Sequence, residues 1–429
     1  MKKSFVALLI VLALVVLISP GIIGRLAEKS VDDSLDWAVS ENDDVVVTST
    51  GYKRGWFTSA GQHRIELREG DLRNMLFGAV DAAGADSLPA LIIDTRLDHG
   101  LIPVSSMARD HGTLIPGLGS AISTLSIELT DGSVVDLPGT IFSNVGLTGE
   151  LKSNFVLEPG GIDADGVRLD WGQADFMITS NPASGNIGIN GKLGSLAVAS
   201  GGQTVIVDTL ELAVDHTTTP FGFTVGPARI TVKSFATITA ADTTTVGPIF
   251  MDSDSEIDDD RLDADVTFRI ENAPMQDLGS ATVEIVVRFE NVDAIALARL
   301  QRNSNAGIVD IERDLQNVLA SGLELHIDQL DFELPMGKIT SRLQAVVSES
   351  DARSFTWASA MLSLDASADI TLPVDFVDRM TELDSNMHAV IAMGFLRKKG
   401  EYYTMQATFK QGALTVNGAP MPIPMPGMQ

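Results

Sequence analysis

Cysteine is absent from the 429 residues, which excludes disulfides, thiolate metal sites, cysteine nucleophiles and the lipidated cysteine that holds a bacterial lipoprotein on its membrane. Aromatic residues are scarce, at 6%, and basic ones are outnumbered, 30 Lys and Arg facing 57 Asp and Glu for a formal net charge of −27. So acidic a body repels nucleic-acid phosphates and anionic lipid headgroups, since both are bound by cationic surfaces that release counterions. Nucleic-acid binding is thereby excluded. Cations, basic partners and neutral apolar ligands remain admissible.

Familiar catalytic signatures are missing too. There is no Gly-x-Ser-x-Gly elbow, no phosphate-binding Gly-x-x-x-x-Gly-Lys-Ser/Thr and no His-Glu-x-x-His helix. The six histidines, at 63, 99, 111, 216, 326 and 388, include no two at the spacing of a local zinc pair. His326 alternates with Glu324 and Asp328 on a polar strand face and reads as an exposed residue. Asp252, Asp254, Glu256 and Asp258 alternate as calcium-loop ligands do, but Ile257 and Asp263 stand where an EF-hand needs glycine and glutamate. A solvated acidic loop leading to a strand at Leu262 is expected there, and no metal or cofactor is expected anywhere.

What is present begins with the N-terminus, "MKKSFVALLIVLALVVLISPGIIGRLAEK". Two lysines precede an apolar run over residues 5–23, long enough at about 1.5 Å per residue to cross a ~30 Å hydrocarbon core. Pro20 between the small Ser19 and Gly21, and an apolar run continuing through Ile22 and Ile23, favour an uncleaved anchor. A cleaved secretory signal, leaving a soluble exported protein, is the alternative. The leading lysines put the N-terminus in the cytoplasm, so the acidic body is exported to the far side of the membrane.

Beyond the anchor, period two dominates. Val283, Ile285, Val287 and Phe289 alternate with Glu284, Arg288 and Glu290, and Leu262, Val266, Phe268 and Ile270 follow the same rule, as do Leu362, Leu364, Ile370 and Leu372. One wet and one apolar face is the mark of antiparallel sheets. The phase slips around Gln329, and again between Val207 and Leu210, predicting bulges that bend the sheet. Helical spacing occurs at residues 71–84, on both sides of a turn at 303–307, and after Pro373. The fold expected is α+β, mainly β: long curved antiparallel sheets with a few packed helices, behind a single transmembrane helix. The expected segments are an anchor at 1–24, a β-rich body at 25–418 with a possible subdivision near 245–260, and a Pro/Met-rich tail at 419–429.

In a chain poor in aromatics, Tyr52, Trp56 and Phe57 crowd together with Lys53, Arg54 and Gly55. Either they form an aromatic corner packed under a turn at Gly55, or they make a platform for a sugar or lipid headgroup. The lysine-led anchor, "YKRGWFTS", "RLDHGLIP" and a late "LTVNGAPM" together resemble the YdgA-like family of bacterial envelope proteins over nearly the whole chain. Tyr52, Arg54, Gly55, Phe57 and Ser59 match its Tyr-x-Arg-Gly-x-Phe-x-Ser motif, and Asp98, His99 and Gly100 its Asp-His-Gly motif. The resemblance implies an inner-membrane or periplasmic protein of Gram-negative bacteria, with no established activity. It also implies that the two motifs belong together, as a structural clasp or as a site, with Arg54 paired to Asp98. Two functions are therefore carried forward. The first is a non-catalytic binding or scaffold protein, with an apolar groove for a lipid or an envelope protein as its partner. The second is an enzyme using Tyr52, Arg54, Asp98 and His99 on a polar envelope substrate.

Overall fold

The computed structural model describes residues 45–421, except 55–57, 68–89, 100–116, 303–307, 351–354 and single breaks at 130–131, 147, 165–166, 201 and 385. The expected anchor, the helix at 71–84 and the tail beyond Met421 lie outside the described residues. The fold is mainly β and antiparallel, with few helices. Two compact units share the chain: Met1–Thr218 with Thr231–Thr244, and Thr219–Ile230 with Thr245–Gln429.

In the first unit, β1 (Val45–Arg54), β2 (Thr58–Leu67), β3 (Ala90–His99), β4 (Gly117–Glu128), β5 (Val134–Gly146) and β6 (Leu151–Leu157) pair in sequence order, each antiparallel to the last. The hairpin of β7 (Gly160–Ala164) and β8 (Val167–Trp171) intervenes before β9 (Ala174–Asn181) returns to β6 and carries β10 (Asn186–Leu193). Next, β11 (Leu196–Ser200) pairs with β8, and the long β12 (Gln203–Thr218) serves two partners. Residues 203–207 pair with β11 and residues 210–217 with β10. The predicted phase slip falls at this change of partner, where Thr209 takes a φ of 42°.

Alternating residues of these strands close one core. Leu91, Leu125, Ile127, Leu151, Leu157, Leu169 and Ile178 are each at most 2% exposed, and burying such a side chain fully is worth about 1.5–3 kcal/mol. Phe155 and Phe176 stack as direct cross-strand partners, 6.3 Å between ring centres. Polar groups that share the interior pair with one another: Ser143 Oγ lies 2.8 Å from Ser153 Oγ, and Thr95 Oγ1 2.7 Å from Ser123 Oγ.

β13 (Thr224–Val225) belongs to the second unit, while β14 (Ala228–Ile238) and β15 (Thr243–Val246) are each divided between the two. From β16 (Ile249–Asp258) the second unit runs as another meander through β17 (Arg261–Met275) and β18 (Gly279–Asp293). Helices α1 (Ala294–Arg302) and α2 (Ile308–Ala320) follow on either side of the predicted turn. Asp293 starts the first of them, its Oδ1 accepting from the Ala296 amide at 2.7 Å as an N-cap does. The sheet resumes with β19 (Leu323–Leu334) and β20 (Gly337–Val347), then α3 (Trp357–Ser363) and β21 (Leu364–Pro373). After α4 (Val374–Leu383) and α5 (Asn386–Ala392) come β22 (Arg397–Lys399), β23 (Tyr402–Lys410), β24 (Ala413–Val416) and β25 (Ala419–Met421). In this last group β23 pairs with both β21 and β22 and carries β24, which pairs with β25. The slip predicted at Gln329 is a bulge in β19, with the register broken on both flanks, against β18 and against β20.

Three expectations need correction. The acidic stretch after Met251 is the strand β16 and not a loop: its acids take one face because Met251, Ser253, Ser255 and Ile257 pair along the other with Phe268, Val266, Ala264 and Leu262. Leu362 belongs to α3 and not to the strand that starts at Leu364, because Thr356 and Ser359 form a capping box that begins a helix. The helical segment after Pro373 is two helices, broken at Asp384 where the backbone turns extended.

Candidate functional site

Tyr52 and Arg54 lie in β1, Ser59 in β2, and Asp98 and His99 in β3; Gly55, Trp56, Phe57 and Gly100 lie outside the described residues. Register brings the two motifs to one end of three neighbouring strands. Arg54 is opposite Ser59, which is opposite Leu97, while Asp98 is one row on, between Thr58 and Ser120. Thus Arg54 and Asp98 occupy adjacent rows, two strands apart. In the Asp98 row, Ser120 also faces Asn144. Among the described residues, Ser120 Oγ and Asn144 Oδ1 are buried without a hydrogen-bond partner, at a cost of about 1–3 kcal/mol each.

A second candidate is a whole face. In the second unit, among the described residues, helices pack on the apolar side of the sheet at its two ends. At one end α1 and α2 pack Ala296 and Val318 against Leu262 and Val292. At the other, Phe376 of α4 packs with Leu334, Ile339 and Leu372. Between them, the row of Phe268, Ile285 and Leu330 is half-buried, as are Val266, Val287 and Ile327 beside it. Met251 is 39% exposed, Phe289 37% and Leu343 36%. Seven strands from β16 to β23 contribute to this strip, so six spacings of about 4.8 Å make it roughly 29 Å long. Apolar surface on this scale is uncommon on a face that no described residue of its own unit covers.

The opposite face of the same strands is charged and cross-linked. Arg269 donates to Glu271 (Nη2 to Oε1, 2.9 Å), Lys338 Nζ contacts Asp331 Oδ2 at 2.8 Å, and Lys410 Nζ contacts Asp365 Oδ2 at 2.5 Å. Asp331 raises the Lys338 ammonium above its ordinary value, first through its hydrogen bond and then through its charge. His326, expected to be exposed, is largely covered: its side chain is 17% exposed, with Nε2 3.4 Å from Glu324 Oε2. Residues two apart on a strand share a face, and His326 is flanked by Arg288 of β18 and Gln344 of β20. Elsewhere, in the first unit, His63 is buried with Nδ1 unpartnered. Burial lowers its pKa below the ordinary 6.5, and the Asp94 charge offsets this in part.

The sequence pattern supplied the strands of the open strip but not its openness, which depends on where the helices land. Searching for local histidine pairs likewise overlooked Glu290, because it reaches His326 from another strand. Among the described residues, no helix is long and apolar enough to cross a membrane. Neither the curated proteins nor the solved structures include a match to this chain. One family does match, over residues 1–424, so the chain belongs to the family described as "Bacterial protein of unknown function (DUF945)".

Proposed function

We propose that this is a membrane-anchored periplasmic protein, of the YdgA-like kind within its family, that binds a lipid acyl chain without catalysis. The carrying observation is the strip through Phe268, Ile285 and Leu330, half-buried and, among the described residues, without a helix over it between two helix-covered ends. A strip of roughly 29 Å accepts an acyl chain laid across the strands, since one leaflet of a ~30 Å hydrocarbon core is about half that depth. The net charge of −27 favours a zwitterionic or neutral lipid over an anionic one. An anchor at residues 1–24 would hold the strip close to the membrane.

Native mass spectrometry and organic extraction of the detergent-purified full chain test this reading. A released phospholipid is expected, together with its loss in Leu343→Asp at an unchanged melting temperature. Protein that carries no lipid and takes none up from zwitterionic vesicles would overturn it.

A second reading rests on the register that brings both motifs to one end of three neighbouring strands, the Arg54–Ser59 row and the Asp98–Ser120 row being adjacent and so belonging to opposite faces of the sheet. It is an enzyme acting on a polar envelope substrate through Tyr52, Arg54, Asp98 and His99. Asp98→Asn or His99→Gln would then abolish a cellular phenotype with the melting temperature unchanged; equal loss of both identifies a structural clasp instead.

A further inference from the structure

On the charged face of the second unit, Glu290 of β18 stands directly opposite Glu324 of β19, and Arg288 directly opposite His326. Like charges in direct register across a sheet are destabilising. Arg288 serves several of these carboxylates at once. Arg288 donates from Nη1 to Glu290 Oε1 at 3.0 Å, is hydrogen-bonded to Asp328, and reaches Asp265 Oδ1 from Nε at 3.5 Å. Three carboxylates thus contact this guanidinium, and Glu324 stands beside them opposite Glu290.

Glu290, Glu324 and His326 each bring one ligand atom within 4.8 Å of the other two, and all three residues are half-buried. The His326 Nε2 to Glu324 Oε2 distance of 3.4 Å is long for a hydrogen bond. It is, however, the separation of two ligands that each sit about 2.0–2.1 Å from a tetrahedral zinc, which works out at about 3.3–3.4 Å. We propose that Glu290, Glu324 and His326 form a binding site for one divalent transition metal of the zinc class. Two carboxylates and a neutral imidazole balance the charge of such an ion and leave one coordination position open. The imidazole is what separates this site from an acidic patch, because magnesium and calcium take oxygen ligands while nitrogen suits zinc and its neighbours. Arg288, hydrogen-bonded to Glu290, holds one ligand carboxylate from beside the site. The site lies on the face of the sheet opposite the apolar strip, so it stands or falls independently of lipid binding.

Calorimetric titration of zinc into the chelator-stripped full chain is the test, with cobalt substitution as an optical readout. One equivalent of zinc should bind, survive a large excess of magnesium, and raise the melting temperature; cobalt should give a visible band. His326→Gln and Glu290→Gln should each weaken zinc binding by more than about tenfold, the lower end of what loss of even an outer-shell partner costs. If His326→Gln proves unstable by itself, Glu290→Gln decides, since the amide oxygen can still accept from Arg288. No binding, displacement by magnesium, or several weak equivalents unaffected by these substitutions would overturn the proposal.

Discussion

Leu125 in the first unit and Leu343 in the second both sit in mid-sheet on the apolar side of a pleat, yet one is 2% exposed and the other 36%. The strands around them are similar in length and pairing. What differs is the cover. The first unit's core draws on residues from β1 to β12, including Ile162, Leu169, Trp171 and Leu196 from β7, β8 and β11, so strands of one ribbon close over another. The second unit covers its apolar face with helices, and those among the described residues pack at its ends. Burial in a sheet therefore follows from what is laid over it as much as from the alternation along its strands.

The difference can be broken most directly by truncating both faces. Leu125→Ala or Ile178→Ala should cost about 2–5 kcal/mol in urea unfolding, because each leaves a closed cavity in the first core. Leu343→Ala should cost less than about 1 kcal/mol, since the lost atoms already faced solvent in part. Equal costs would mean that the second face is as closed as the first.

A smaller effect sharpens the same comparison through His63, whose lowered pKa is a consequence of the closed core. Above pH 6.5 neither the folded nor the unfolded chain protonates this imidazole, and it makes no pH-dependent contribution. As the pH falls below 6.5, the unfolded chain takes up a proton that the folded chain refuses, so stability declines until the lower folded value is passed. The slope should not exceed about 1.4 kcal/mol per pH unit. His63→Leu should flatten it, as read from denaturant midpoints between pH 7 and 5. An unchanged slope would place the titration elsewhere.

Much of this architecture was legible in the residues. The alternation at Val283 to Phe289 became β18, and the slips near Thr209 and Gln329 became breaks in register, because a pleat has period two and one extra residue inverts it. The acids of β16 misled, since aspartates alternating with serines look like loop ligands until a partner strand supplies the other half of the pattern. The donor triad was illegible for a related reason. Glu290 and His326 meet only through the pairing of β18 with β19, with two helices intervening in the chain. For the motif around Arg54, the sequence named the residues and the register added their neighbourhood.

The sequential pairing of the second unit bears on how the chain is made. From β16 to β21 every strand adds to the one synthesised just before it, so most contacts close short loops and little entropy is spent on distant partners. A chain that folds from its N-terminal side can thus lengthen its sheet one strand at a time, without waiting for its C-terminus. Each step exposes a fresh edge, the kind of template on which strange strands pair. In β16 to β19 that edge carries Asp254, Glu256, Asp265, Glu284 and Glu324, and between two nascent copies those charges repel. The acidity read at the outset as a limit on partners also keeps the growing sheet from taking the wrong one.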